Sequence, residues 1–313
     1  MILKLDKYDC NKKYIDLYIS MTWPLNKNSH GICGHIFEIV DYYLFLKDKI
    51  NVKILIGEGM DVDVFRAAIN NKYELSQIEV DDIISNTLFV DKPKYIIGDK
   101  ILFVDGLLKT HFQEHGVALI FNKIYTFRCC KFCNHENILY DNVKVLQDMR
   151  VYEDDVDKSI NYVKKIYFEK YKAASEPPDR VALLYATKNC RYMSINEIQA
   201  ITDMYDYDKY LIVSDSEYDR LPTRCEVLSP PVENLFDKFT DYIYTPIEKK
   251  FDCSPRMIAE CKHYGRSVIY HNIDDEYLQH DTGLRTRIQD VNNSIDLVTL
   301  QSTDTILDIL SEH

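Results

Sequence analysis

Apolar positions along the chain follow two rhythms. In YIDLYISMT (14–22) they branch and alternate as in a strand, and in HIFEIVDYYLFLKDK, beginning at His35, they recur at helical spacing. The stretch between them, WPLNKNSHGICG, is polar with glycines, so the order strand, glycine loop, helix is expected. NVKILIGEG (51–59) predicts a second short strand and DVFRAAINNKY a second helix. A β-α-β-α opening of this kind belongs to a parallel sheet covered on both faces. Farther on, TLFVD, KYIIGDKILFVDGLL and VALIFNKIYTF predict strands, KSINYVKKIYFEKYKAA (158–174) predicts a long helix, and SEPPD (175–179) breaks it.

After SEPPD the alternation restarts. RVALLYAT, KYLIVSD, DYIYTP and SVIYHN read as strands, SINEIQAITDMY and SPRMIAECKHY as helices, and the chain ends on a polar turn and a terminal helix. Ser194 followed three residues later by Glu197 is a capping-box pattern that pins the start of the first of these helices. The expected fold class is therefore α/β, with two Rossmann-like doubly wound domains. The boundary is placed at SEPPD, giving domains over 1–175 and 176–313, and the last helix is a candidate to pack back on the N-terminal domain.

Composition changes this picture in three respects. The 313 residues, 46% hydrophobic, supply apolar material for two cores. Lys plus Arg number 38 against 50 for Asp plus Glu, a net charge of -12 that disfavours broad nucleic-acid or anionic-membrane binding and confines any basic face to a local groove. No apolar stretch approaches the roughly 20 residues of a membrane span, and MILKLDKYDC has no apolar core followed by a small-residue cleavage site. A soluble cytoplasmic protein is expected, with its nine cysteines reduced.

The candidate chemistry is concentrated in FDCSPRMIAECKHYGRSVIYHN (251–272). Ser254 is a good N-cap, Pro255 suits the first helical position because its missing N–H has no partner there, and Gly265 suits the C′ position. The helix N-terminus at Ser254, Pro255 and Arg256, with its free first-turn amides and the positive end of the helix dipole, forms an anion site suited to a phosphate or diphosphate. Asp252 and Glu260, eight residues apart, are placed to accept hydrogen bonds from hydroxyls on the two sides of a nucleoside diphosphate. The competing reading has Asp252 only capping the helix and Glu260 on a solvated face.

This order of acidic residue, small-residue turn, glutamate-bearing helix, glycine, basic residue and apolar strand resembles the donor half of GT-B glycosyltransferases, some of them phage-encoded. Many carry two glutamates separated by seven residues at this place; here the first is Asp252, and YGRSVIYHN lacks the usual proline. The resemblance implies that Asp252 approaches the donor sugar and Glu260 the ribose. It also implies that Lys188 and Arg191 of YATKNCR face the donor diphosphate, the alternative being a solvated loop. HGICGHIFEI is similar to the glycine-rich loop after the first strand of the same fold. By that likeness His35 faces an interdomain cleft and takes a proton from the acceptor hydroxyl, with a helix-start histidine of no catalytic role as the alternative. His115, in KTHFQEHG, is a secondary candidate.

The resemblance implies a nucleoside diphosphate sugar as donor, a UDP-sugar first, and no catalytic metal. The acceptor hydroxyl belongs to a glycan, a lipid-linked sugar, a small molecule or a hydroxymethylated DNA base, the last disfavoured by net charge. A base at His35 implies inversion at the anomeric carbon, whereas the Asp252 and Glu260 pattern resembles retaining members. A nucleotide-sugar epimerase of the same shape, or a non-catalytic nucleotide-binding α/β protein, stands as the alternative. Cys130, Cys133 and His135 offer three zinc ligands without a second pair, so free thiols are expected first. Gly57 and Gly59 do not complete a dinucleotide fingerprint, so NAD is not expected.

Overall fold

A computed structural model describes residues 2–5, 13–21, 34–56, 61–90, 94–104, 117–127, 142–147, 159–162, 166–187, 193–245, 256–271 and 303–311. The strands are β1 (Ile2–Lys4), β2 (Lys13–Ser20), β3 (Ile50–Ile56), β4 (Thr87–Phe89), β5 (Tyr95–Phe103), β6 (Ala118–Phe127), β7 (Val143–Gln147), β8 (Ser159–Asn161), β9 (Val181–Tyr185), β10 (Lys209–Val213), β11 (Cys225–Leu228), β12 (Asp241–Tyr244) and β13 (Ser267–Tyr270). The helices are α1 (Gly34–Leu46), α2 (Val62–Lys72), α3 (Gln77–Ser85), α4 (Ile195–Met204), α5 (Arg256–His263) and α6 (Thr303–Ser311). The described residues through Lys170, together with α6, form one compact unit, and Tyr171 to His271 form a second. Each unit holds a parallel sheet flanked by helices, and both are Rossmann-like doubly wound α/β folds. No described helix is long and apolar enough to cross a membrane.

In the first unit the strand order is β4-β3-β2-β5-β6-β7-β8, with β1 pairing the first residues of β5 beyond the reach of β2. The apolar run of β3 is buried on both faces, as a parallel sheet requires. One face carries Tyr18, Leu55, Ile101, Phe103, Phe121 and Ile124. Neighbouring residues point the opposite way. There the Lys100 ammonium donates to Leu310 O at 2.9 Å and the Tyr125 hydroxyl to Ile309 O at 3.2 Å, so β5 and β6 bind the last turn of α6. A cation against unsatisfied carbonyls is favoured at that helix end. Burial lowers the Lys100 pKa, the cost of drawing an ammonium under the helix.

Two readings from sequence need correction here. Among the described residues of 158–174 there is no long helix: Ser159–Asn161 form edge strand β8 on β7, and Phe168–Lys170 make a 3-10 turn. The apolar residues at helical spacing serve a tertiary cluster instead, Tyr162 stacking on Phe127 at 5.4 Å and Tyr167 on Phe45 at 3.9 Å, with the Tyr42 and Tyr162 hydroxyls 2.9 Å apart. Aromatic burial outweighs a helix propensity differing by only about 0.7 kcal/mol per residue among such side chains. The second correction is α3, which the sequence reading passed over although Ser76 and Glu79 form a complete capping box at its start.

In the second unit the order is β11-β10-β9-β12-β13, all parallel. Val181 and Leu183 of β9 pack with Leu211, Tyr242 and the α5 residues Ile258 and Cys261. Ala182 and Leu184 pack on the other face with Ile212, Ile243 and the α4 residues Ile198 and Ile201. The capping box expected at Ser194 closes, Glu197 N–H donating to Ser194 Oγ at 3.3 Å and Ser194 N–H to Glu197 Oε2 at 2.8 Å.

Two stability outcomes follow. A β-carbon added at Gly98 would lie 2.5 Å from Phe121 Cε1, with Leu5 Cδ1 at 3.3 Å on the same face. Gly98→Ala should therefore lower stability by about 1 to 3 kcal/mol, read as a fall in the urea midpoint at constant slope; an unchanged midpoint would show that Phe121 swings aside without cost. Glu79, held by the Ser76 N–H, the Ser76 hydroxyl and then Lys170, has its carboxyl lowered from 4.5 to about 2. A depressed carboxyl stabilises the fold above its ordinary value and loses that contribution as pH falls through the folded one. The stability gap between wild type and Glu79→Gln should thus be present at pH 6 and shrink as pH falls toward 2, and a gap independent of pH would contradict it.

Candidate functional site

The second sheet builds outward from β9 through β10 to β11, then resumes on the other side with β12 and β13. Between β9 and β12 the chain therefore leaves toward opposite faces, to α4 and to α5, opening the crevice at strand carboxyl ends where α/β folds place ligands. Beyond β9 the described chain continues to Thr187, and beyond β12 to Thr245. Thus 188–192, with Lys188 and Arg191, and 246–255, with Asp252, Ser254 and Pro255, follow the two strands that flank the switch point. Those five residues lie outside the described residues, as do His115, Cys130, Cys133 and His135.

The rim of this edge is polar and buried: Ser214 ends β10, Thr187 and Thr245 follow β9 and β12, and His271 follows β13. Ser214 Oγ donates to Ala186 O at 3.0 Å and accepts from Ser216 N–H at 3.1 Å, which ties the ends of β9 and β10 together. His271 Nδ1 is 3.2 Å from the Tyr205 hydroxyl.

Arg256 and Glu260, both on α5, meet one turn apart, Nε to Oε1 at 2.9 Å, with side chains only 8% and 6% exposed. Their stripe lies away from Ile258 and Cys261, which face the sheet, and Tyr171 covers it, its hydroxyl bonded to Arg256 Nη2 and its ring 5.8 Å from the guanidinium carbon. Tyr264 Oη donates to Lys172 O at 3.0 Å, and Arg266 Nη2 to Ser175 O at 2.7 Å, so the opening of the second unit is strapped along α5. The helix closes as the sequence predicts at Gly265, whose φ is 67°. Gly265 N–H bonds Lys262 O at 3.1 Å and Arg266 N–H bonds Cys261 O at 2.7 Å, a full Schellman motif. Glu260 is thus not on a solvated face; its Oε1 accepts from Arg256 Nε at 2.9 Å.

His35 opens α1 after the carboxyl end of β2, and the first sheet reverses its order between β2 and β5. Its Nδ1 is 3.0 Å from Glu38 Oε2. Glu38 is a residue the sequence reading missed; its signal was the i, i+3 spacing to His35 inside an otherwise apolar helix. Among the described residues no group of three or more His, Cys, Asp or Glu is arranged to hold a metal ion. A shallow hollow of about 560 Å³, lined by Asp179, Arg180, Tyr205, Asp206, Tyr207, Thr240 and Asp241, lies at the amino ends of the second sheet's strands, the edge opposite the switch-point crevice. Its Arg180 is engaged by Asp206 at 2.9 Å and Asp208 at 3.3 Å. Neither protein-family models nor curated proteins match this chain.

Removing one partner of the α5 pair strands the other charge inside the protein. Glu260→Gln should therefore cost about 3 kcal/mol, and Arg256→Met with Glu260→Leu together less than either single change. Urea titration of the three variants tests this; a Glu260→Gln chain as stable as wild type would mean the pair is solvated in solution.

Proposed function

We propose that the protein is a glycosyltransferase that moves a sugar from a nucleoside diphosphate sugar, a UDP-sugar first, to an acceptor hydroxyl, with the donor held by the second unit. The observation that carries this reading is topological. Two segments far apart in sequence, one bearing Lys188 and Arg191 and the other Asp252, Ser254, Pro255 and the start of α5, follow the two strands at the switch point of a Rossmann-like sheet. A diphosphate there is met by cations from one segment and by the amino end of a helix from the other.

The chemistry asked of these residues follows from where charge grows. As the bond between the sugar and the diphosphate breaks, negative charge accumulates on the leaving oxygen, and fixed cations and amide dipoles lower the barrier because they act most strongly on that charge. Asp252 takes sugar hydroxyls, and Glu260 is exchanged from Arg256 to the ribose as the donor binds. On the acceptor side His35 removes the hydroxyl proton, which gives inversion. The acceptor is a glycan, a lipid-linked sugar, a small molecule or a hydroxymethylated base.

A thermal-shift series with nucleoside diphosphates and their sugar conjugates tests donor binding first. A true donor at a hundred times its Kd stabilises by about 2.7 kcal/mol, a shift of several degrees for a unit of this size. Nucleoside diphosphate should then be released only when an acceptor is added. Lys188→Ala and Arg191→Ala should lower kcat at least tenfold while changing affinity for the bare nucleoside little. Wild-type turnover in both variants would place the diphosphate elsewhere, and no response to any nucleotide would end the reading.

A further inference from the structure

Glu38 sits one turn into α1 with its side chain 5% exposed, bonded to a histidine that is 28% exposed. A carboxylate withdrawn from water to this extent is unfavourable without a charged or hydrogen-bonded partner. Packing does not call for an acid at this point, since Ile36, Ile39, Val40 and Leu46 are all buried on the same helix. The other ionisable groups on the buried face of α1 have partners of their own: the Tyr73 hydroxyl is 2.9 Å from Asp41 Oδ1, the Tyr42 hydroxyl 2.9 Å from that of Tyr162, and the Tyr43 hydroxyl 3.1 Å from Asp82 Oδ2. The pairing of His35 with Glu38 is set by the helix itself, because residues three apart share a face.

With Nδ1 bonded to a carboxylate, the neutral imidazole carries its hydrogen on Nδ1 and its lone pair on Nε2. The same carboxylate stabilises the imidazolium that forms when Nε2 accepts a proton, and holds the ring in one orientation. We propose that Glu38 is the positioning residue of His35, fixing the tautomer that makes Nε2 the basic nitrogen and offsetting the charge the ring acquires during the reaction. The proposal rests on the reading of His35 as the acceptor-side base. In that step the acceptor oxygen forms its bond to the sugar carbon and gives its proton to Nε2. The bond from the sugar carbon to the diphosphate breaks, and its electron pair leaves with the diphosphate. Glu38 remains ionised throughout.

Nitrogen-15 NMR of the imidazoles in the full-length chain tests the pair without any substrate. At pH 8 His35 should show the Nδ1–H tautomer, and its titration midpoint should lie about one unit above that in Glu38→Gln. An Nε2–H tautomer in the wild-type chain overturns the proposal, and this readout needs no variant to fold. Equal midpoints in the two proteins overturn it as well. With donor and acceptor in hand, Glu38→Gln should lower kcat about 10- to 100-fold at nearly constant KM and move the acid limb of the pH profile to lower pH. Wild-type turnover in Glu38→Gln beside a crippled His35→Ala would leave the base and remove the positioning role. Wild-type turnover in His35→Ala would instead remove the base reading, with the tautomer still deciding whether the pair exists.

Discussion

Burial of both faces of β9 is the constraint from which the second unit follows. Its alternate residues feed two separate cores, Leu183 with Ile258 and Cys261 on one side and Leu184 with Ile198 and Ile201 on the other. A strand buried on both faces needs a helix on each, and one chain delivers them only by winding outward in one direction, returning, and winding outward in the other. The reversal leaves two neighbouring strands whose following segments diverge. That divergence is the switch point, which is a by-product of how a parallel sheet is covered. The first unit obeys the same rule between β2 and β5.

Three sets of charged groups among the described residues are matched to a helix end or a helix stripe. Lys100 meets the last carbonyls of α6, His35 and Glu38 meet near the start of α1, and Arg256 and Glu260 meet along α5. Desolvating a charge is expensive at any of these positions, and the local geometry supplies a partner of the right sign one turn away or at the chain's unsatisfied carbonyls. The sheet interiors beside β9 are by contrast filled with aliphatic and aromatic side chains.

How much of this is legible in the sequence depends on the length and the burial of each element. The central strands β3 and β9 and the amphipathic helices α4 and α5 read clearly, because both-face burial writes continuous apolar runs and one-face burial writes a 3.6-residue period. The short strands β1, β7, β8 and β11, at or next to the sheet edges, did not, since three to five residues do not establish a period and their pairing is decided by the neighbour. The false helix over 158–174 came from apolar spacing that the aromatic cluster around Tyr162 and Tyr167 uses for another purpose. Of the candidate site, the termination at Gly265 was visible because a left-handed turn after a helix has few solutions other than glycine. The Arg256 to Glu260 bond was visible as a spacing but not as a burial, because what buries it is Tyr171, distant in sequence.

The same Tyr171 ties the opening of the second unit to its chemistry. Glu260 is oriented by Arg256, and Arg256 is itself held by Tyr171, the first described residue of that unit. Opening the pair would leave a buried guanidinium in need of an acceptor, and the acceptor with the greatest charge in the proposed complex is the diphosphate itself. A donor would therefore exchange one set of charge-assisted bonds for another, carboxylate to hydroxyls and guanidinium to phosphate, with neither charge left unpaired. An acid that merely faced solvent would have no such exchange to make. Its burial is thus consistent with a ligand site only in company with Arg256, and the two residues have to be read together.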